Sequence, residues 1–203
     1  MSKIKLTKGE LKKQRDSLKQ FRRYLPTLQL KKQQLQMKIL ETRRELQKVQ
    51  AKLNDTEDSI KLWVGLLADE SVNLQDWIAP EDVITDSMNI AGANVPVFKE
   101  VTFKKAEYDL YLTPFWTDQA VEQMKSFVAL KIECEIIKKQ VQLLEKELRV
   151  TTQRVNLFEK IKIPEGLENI RKIRIYLGDQ QANAVGVSKV AKKKVEIKAA
   201  MAA

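Results

Sequence analysis

The 203-residue sequence contains no histidine and a single cysteine, Cys134. Without histidine, the chain lacks the usual general base, the usual zinc ligand and the Ser–His and Cys–His nucleophile pairs. One cysteine cannot form an internal disulfide, which favours a cytoplasmic protein. We expect Cys134 to be a small buried apolar side chain rather than a reactive thiol, because it falls on an apolar stripe of a predicted helix.

Glycine and proline are also scarce, with 6 and 5 residues respectively. Neither a GxxxxGK[ST] phosphate loop nor a GxGxxG motif occurs, so the sequence has no recognisable nucleotide-binding loop. Neighbouring carboxylates such as Glu133 and Glu135 are two positions apart on a predicted helix and therefore point in different directions. The sequence predicts no catalytic, cofactor-binding or metal-binding residue. The scarcity of turn residues instead favours long helices with few connections.

No stretch reaches the ~18 consecutive apolar residues of a membrane span, and no apolar core follows the first five residues, so we expect neither membrane insertion nor a signal peptide. The net charge of +10 makes nucleic acid or anionic lipid a candidate partner. However, residues 1–63 carry 17 basic and 7 acidic side chains, whereas residues 64–116 carry 3 and 9. Few aromatic residues lie between the basic ones, so base stacking is not supported and no nucleic-acid partner is predicted.

A heptad pattern of apolar residues extends over the first third of the chain. Thirteen of its seventeen positions are apolar, and the spacing alternates between three and four residues as in a coiled coil. The positions are Leu11, Gln14, Leu18, Phe21, Leu25, Leu28, Lys32, Leu35, Ile39, Thr42, Leu46, Val49, Leu53, Thr56, Ile60, Trp63 and Leu67. At 1.5 Å per residue the run predicts a helix about 85 Å long. Pro26 could end one helix and start another, but the register survives it, so we favour one kinked helix.

A second run with the same spacing follows Pro114, and eleven of its thirteen positions are apolar. The positions are Trp116, Ala120, Gln123, Phe127, Leu130, Cys134, Ile137, Val141, Leu144, Leu148, Thr151, Val155 and Phe158. Thr117 or Asp118 is expected to cap its start. Beyond this run the register slips, and a new stripe is formed by Leu167, Ile170, Ile173 and Leu177. Gly178 and Gly186 are expected to weaken the helix, and the tail from Ala191 to Ala203 is expected to fray.

The two runs are comparable in length, and an isolated helix with an apolar stripe is not stable in water. Folding back as an antiparallel pair buries both stripes and places Leu11 opposite residues 168–175. It also places Pro164 opposite residues 19–23, about 5 Å from the level of Pro26. Because both helices would lose a hydrogen bond near one level, we expect a shared bend there.

Between the runs, residues 83–90 and 95–103 have strand-like composition and are separated by Ala91-Gly92-Ala93-Asn94, which predicts a β-hairpin. Aromatic residues cluster in this segment, and they could form a local core under the hairpin or a docking surface for another protein of a complex. They are Trp77, Phe98, Phe103, Tyr108, Tyr111, Phe115 and Trp116. We favour the local core.

The predicted fold is mainly α: a long antiparallel two-helix coiled-coil hairpin, with a short β-hairpin and small helical segments at the turn end. We expect an N-terminal long helix in residues 1–72, a β-hairpin head in 73–115, and a C-terminal long helix with a frayed basic tail in 116–203. Together these would form one elongated structural unit.

Three segments of the chain resemble the D subunit of the rotary V-type and A-type ATPases. The first is Lys5-Leu6-Thr7-Lys8 with the basic helix that follows, and the second is Asn89-Ile90-Ala91-Gly92-Ala93-Asn94-Val95-Pro96. The third and most specific is Arg154-Val155-Asn156-Leu157-Phe158-Glu159, followed by Ile163-Pro164 and Leu167-Glu168-Asn169-Ile170. Their order matches the family along nearly the whole chain.

The resemblance implies a non-catalytic central-stalk rotor protein, peripheral on the cytoplasmic face of the membrane, that transmits torque during ATP synthesis or ATP-driven proton or sodium transport. It implies four partners: the catalytic A and B subunits, the F subunit and the socket subunit of the membrane ring. Basic residues at the open end of the helix pair would seat it in the catalytic ring, namely Lys12, Lys13, Arg22, Arg23, Arg171, Lys172 and Arg174. The alternative is a prefoldin-like helical-hairpin chaperone, whose arms are shorter and whose strands assemble into an oligomeric barrel.

Overall fold

The structure, a computed structural model, describes residues 4–65, 75–105 and 113–202. Its elements are helix α1 (Lys8–Lys61), helix α2 (Gln75–Ile78), strands β1 (Pro80–Ile90) and β2 (Ala93–Phe103), helix α3 (Thr117–Asn156), a π-helical segment (Leu157–Lys162) and helix α4 (Ile163–Ala202). This mainly helical architecture with one antiparallel strand pair confirms the predicted fold class. The chain divides into a terminal unit, Met1–Leu30 with Thr152–Ala203, and a middle unit, Lys31–Thr151. The predicted boundaries at residues 72 and 115 stay a prediction.

Helix α1 follows the first heptad stripe closely. Thr7 caps its start, because the Glu10 backbone N–H donates to the Thr7 hydroxyl at 3.3 Å and the Leu11 N–H to its carbonyl at 3.0 Å. Every described position of the predicted stripe is buried or half-buried, and Leu67 lies outside the described residues. Pro26 lies within α1, so the prediction of one continuous helix is confirmed.

In the middle unit, α1 and α3 pack as the stripes predict. Val49 contacts Cys134 and Ile137 in one buried cluster, and the Trp63 indole N–H donates to the Gln123 side-chain carbonyl at 2.8 Å. Cys134 is only 2% exposed, which confirms it as a buried apolar side chain. These contacts place the later part of α1 beside the earlier part of α3, as an antiparallel pair requires.

In the terminal unit, the rings of Phe21 and Phe158 lie 5.1 Å apart, and a Cβ atom on Gly166 would lie 3.7 Å from a methyl group of Leu18. Pro164 therefore lies near the level of residues 18–21, close to the predicted position. Pro26 is then about six residues, or ~9 Å, from that level rather than ~5 Å. The shared bend stays a prediction.

The register slip after Phe158 coincides with the π-helical segment. There the Ile163 backbone N–H donates to the Phe158 carbonyl, five residues earlier. One π-helical turn inserts an extra residue into a helix and so rotates everything that follows. The new stripe contains Ile170 and Ile173, as predicted, but Leu167 is 45% exposed and Gly166 is the buried residue of that turn. The prediction for Leu167 is wrong, because the π-helical turn shifts the buried face by one position.

Two further predictions concern the second helix. Helix α4 continues to Ala202 through Gly178 and Gly186, and the fraying of the tail stays a prediction. The Thr117 hydroxyl is buried and has no hydrogen-bond partner in the described part of the chain, so Thr117 does not cap α3, and the alternative cap, Asp118, stays a prediction.

Strands β1 and β2 form the predicted hairpin, with Ile90 opposite Ala93 and a two-residue loop. Ala91 and Gly92 both have positive φ, 49° and 82°, which the type I′ turn of a two-residue hairpin requires. Glycine adopts this conformation without strain, which explains its place here. A bulge at Lys99 shifts the register between Ile84 and Thr85.

Candidate functional site

The described residues contain no group of three or more Cys, Asp or Glu side chains that could hold a metal ion. The features that can act on a partner are surfaces: the hairpin docked in the middle unit, and the basic end of the helix pair in the terminal unit.

The hairpin is fixed to the helices by one deeply buried residue. Val95 is 1% exposed and packs against Leu35, Ile39 and Leu144. Residues beside the turn, together with Leu148, pack around this cluster. The core below the hairpin is therefore aliphatic and contains side chains from both helices.

The hairpin lies lengthwise along α3. At one end of β2 the Lys125 ammonium lies 5.8 Å from the Phe103 ring centroid, and at the other end the Gln140 amide donates to the Pro96 carbonyl at 2.5 Å. The seven residue steps from Pro96 to Phe103 span about 23 Å of strand, and the fifteen from Gln140 back to Lys125 span about 22 Å of helix. The two contacts are therefore equally far apart along the strand and along the helix. The contact with Pro96 explains why α3 buries Gln140, which is not part of its stripe.

An ion pair lies next to the hairpin turn. The Lys31 ammonium donates to the Glu147 carboxylate at 2.7 Å, and it would lie 3.4 Å from a Cβ atom on Gly92. Both charged side chains are less than one-third exposed. The turn is therefore held over a pair of groups that join α1 to α3, with Arg43 and Glu145 forming a second bridge at 2.5 Å.

The outer edge of β1 is shielded by carboxylates. The backbone N–H groups of Val83 and Ser87 donate to the side chains of Asp82 and Asp86 at 2.8 Å. The Lys99 ammonium, 3.1 Å away, and the Ser87 N–H lower the pKa of Asp86 below its ordinary value. Carboxylates at an edge strand occupy donors that another strand would otherwise use.

The aromatic residues of this segment differ in burial. Trp77, Phe98, Phe103 and Trp116 are half-buried, whereas Phe115 is fully exposed. Tyr108 and Tyr111 lie outside the described residues. The prediction of an aromatic core is wrong for Phe115, because the buried side chains under the hairpin are the aliphatic ones around Val95.

The seven basic residues predicted at the open end are all exposed side chains of the terminal unit. Lys172 pairs with Glu168 at 2.6 Å, and this contact lowers the pKa of the Glu168 carboxyl. Arg22, Arg171 and Arg174 instead line a groove together with Arg15, a residue that the sequence analysis did not single out. The sequence could have indicated Arg15, because Arg15 and Arg22 are seven residues apart and therefore lie on one face of α1.

This groove, which we call the arginine groove, has a volume of about 550 Å³. It is lined by Arg15, Leu18, Arg22, Leu167, Ile170, Arg171, Arg174 and Ile175. A neighbouring groove of about 480 Å³ contains both signs of charge, including Lys13, Glu10 and Glu165. The terminal unit therefore presents two chemically different surfaces along the same helix pair.

Comparison with known proteins gives a consistent result. The profile of the family of ATP synthase D subunits matches residues 10–193. The chain is 46% identical over 192 residues to the D subunit of the V-type ATP synthase of Borreliella burgdorferi, covering 95% of each chain. It is 38% identical over 200 residues to that of Chlamydia caviae (96% and 95% covered), and 34% identical over 205 residues to that of Chlamydia pneumoniae (97% and 95%). No described helix is long and apolar enough to cross a membrane.

Proposed function

Since the chain belongs to the family of ATP synthase D subunits, we propose that it is the central rotor shaft of a V-type ATPase or ATP synthase, without a catalytic site of its own. In this role it transmits torque between the catalytic A/B ring and the membrane ring, and its partners are the A and B subunits, the F subunit and the socket subunit. The complex places it peripherally, on the cytoplasmic face of the membrane. The comparisons give no support to the chaperone alternative.

The observation that carries this proposal is the packing of long helices on buried stripes within each of the two units. A shaft must resist twisting, and side chains packed along two long helices resist it because rotation of one helix would break the whole stripe. Leu35, Leu144 and Ile173 are completely buried, so the packing is tight in both units. The continuity of α1 through Pro26 supports the same role.

Single-molecule rotation tests the proposal directly. Leu62 is 90% exposed and the native Cys134 is buried, so a Leu62→Cys chain offers one accessible thiol for attaching a bead. In a complex immobilised through its A and B subunits, we expect the bead to rotate in one direction when ATP is added. A bead on an exposed cysteine of the immobilised ring is the control and should stay fixed. ATP hydrolysis with a stationary Leu62→Cys bead would disprove the rotor role.

A further inference from the structure

The second groove of the terminal unit, which we call the mixed-charge groove, contains a buried polar side chain without a partner. Asn169 of α4 is only 8% exposed and lines this groove of about 480 Å³. Its carboxamide makes no hydrogen bond within the described part of the chain. Burial of an amide without a hydrogen-bond partner is costly, so we expect a bound group to complete Asn169.

Two polar side chains of α1 lie near the level of Asn169. A Cβ atom on Gly166 would lie 3.7 Å from a methyl group of Leu18, which fixes the antiparallel register of the two helices. Asn169 lies three residues beyond Gly166 and therefore between the levels of Lys13 and Ser17, about 3 Å from each along the helix axis. Both residues line the groove, and neither side chain forms a hydrogen bond or ion pair with the described residues.

The carboxylates of this groove already have partners. The Gln14 amide donates to the Glu10 carboxylate at 2.8 Å, and the Lys162 ammonium donates to the Glu165 carboxylate at 3.1 Å. Lys5, in the segment before α1, lines the groove without an ion pair to any described residue. The side chains left without a partner can therefore all donate hydrogen bonds, and two of them are cationic, which favours an anion as the occupant.

The number of free donors indicates which kind of anion fits. An asparagine amide offers two N–H donors, a serine hydroxyl one and each lysine ammonium three. In the mixed-charge groove these donors come from both helices and from the segment before α1. A carboxylate has only two oxygens in one plane, whereas a phosphate group presents at least three acceptor oxygens in different directions. A phosphate group therefore uses this set of donors more completely than a carboxylate does.

We propose that the mixed-charge groove binds a phosphate group, free or as a phosphate ester, through the Asn169 carboxamide, the Ser17 hydroxyl and the Lys13 ammonium. Lys5 adds positive charge at the groove. The bound group joins α1 to α4, and it stabilises the terminal unit because it binds the folded chain. The site consists of residues of this chain alone, so it does not rest on the proposed function, and either can fail without the other.

NMR titration of the full chain with inorganic phosphate, at constant ionic strength in chloride, tests the site. The side-chain amide signals of Asn169 and the backbone amide signal of Ser17 should shift and saturate, and the melting temperature should rise with phosphate concentration. Asn169→Leu should weaken binding at least about tenfold, because it removes a buried hydrogen bond to a charged group. Without phosphate this variant should melt no lower than the original chain, because it removes a buried polar group that lacks a partner.

A pair of lysine variants provides the control for surface charge. Lys13→Gln and Lys12→Gln make the same charge change at neighbouring exposed positions, but only Lys13 lines the groove. We expect Lys13→Gln to weaken phosphate binding about fivefold or more, and Lys12→Gln to weaken it less than about twofold. Equal weakening in the two lysine variants, or an unchanged affinity in Asn169→Leu, would overturn the inference.

Glycerol phosphate and acetate identify the chemistry that is recognised. Tighter binding of inorganic phosphate than of glycerol phosphate would indicate a site for the free ion, and the reverse order a site for an ester. Both results support the proposal. Acetate that saturates the same signals as tightly as phosphate would show a general carboxylate site, and no saturable shift with either phosphate compound would show that the groove holds only water. Each of these two results would refute the phosphate site.

Discussion

The substitution Val95→Ala should detach the hairpin while leaving the helix pair folded. Val95 is the hairpin residue buried against Leu35, Ile39 and Leu144. The other hairpin residues at this cluster, beside the turn, are only partly buried, and hydrogen bonds to the carbonyls of Pro96 and Lys104 add to the attachment. Removing two methyl groups loses about 1.6 kcal/mol of transfer free energy, and the cavity left behind raises the cost to roughly 2–3 kcal/mol. A change of 1.4 kcal/mol in free energy changes the equilibrium constant for opening of the hairpin tenfold, so the hairpin amides should exchange with solvent roughly 30- to 160-fold faster.

Hydrogen exchange followed by mass spectrometry measures this effect segment by segment. Peptides covering residues 80–103 should lose protection in Val95→Ala, whereas peptides from 35–60 and 125–150 should keep most of theirs. Ile84→Ala is the matched control, because Ile84 lies on β1 of the same hairpin and is 41% exposed, so its free-energy change should stay below about 0.5 kcal/mol. If both variants exchange alike, or if the helices lose protection together with the hairpin, Val95 is not the anchor.

Two other predictions concern the turn and the edge of the hairpin. Gly92→Val should destabilise the hairpin by about 1–2 kcal/mol, because φ is +82° at this position. The control is Gly65→Val, whose added Cβ atom meets no other atom and should leave amide exchange in the hairpin unchanged. Equal effects of the two substitutions would contradict the argument. Lys99 and the Ser87 N–H lower the pKa of Asp86. The ionised Asp86 carboxylate therefore contributes to hairpin stability above the ordinary carboxyl pKa, and this contribution is lost as pH falls through the lowered pKa. After correction for the intrinsic exchange rate at each pH, amide hydrogen exchange in the hairpin should therefore become faster below about pH 4 in the original chain and change less in Asp86→Ala. An equal response of the two chains to acid would refute this.

The helix pair and the hairpin could be predicted because their signals are local. A heptad stripe needs only the periodicity of apolar residues, and the turn needs only Gly92 between two strand-like segments. The position of the hairpin along α3 could not be predicted, because it depends on Val95 meeting side chains more than forty residues away in either direction along the sequence. The face that receives the hairpin shows no separate periodicity in the sequence.

The arginine groove was only partly predictable. Three of its arginines could be assigned to the open end from the antiparallel pairing alone. Arg15 could have been added from its seven-residue spacing to Arg22. The exposure of Leu167 at the groove could not be predicted, because the π-helical turn moves Leu167 out of the stripe. A single irregular turn therefore decides which apolar side chains are buried and which are available to a partner.

The π-helical turn also has a consequence for how this sequence can tolerate insertions and deletions. Loss of one residue between 157 and 162 would restore a regular α-helix without interrupting the chain of backbone hydrogen bonds. It would also rotate the remainder of α4 by about 100° relative to α1. Gly166, Ile170 and Ile173 would then leave the interface together. Sequences that lack this extra residue must therefore place their small and apolar residues one position earlier throughout the helix, and alignments of the family should be gapped at this turn rather than at Pro164.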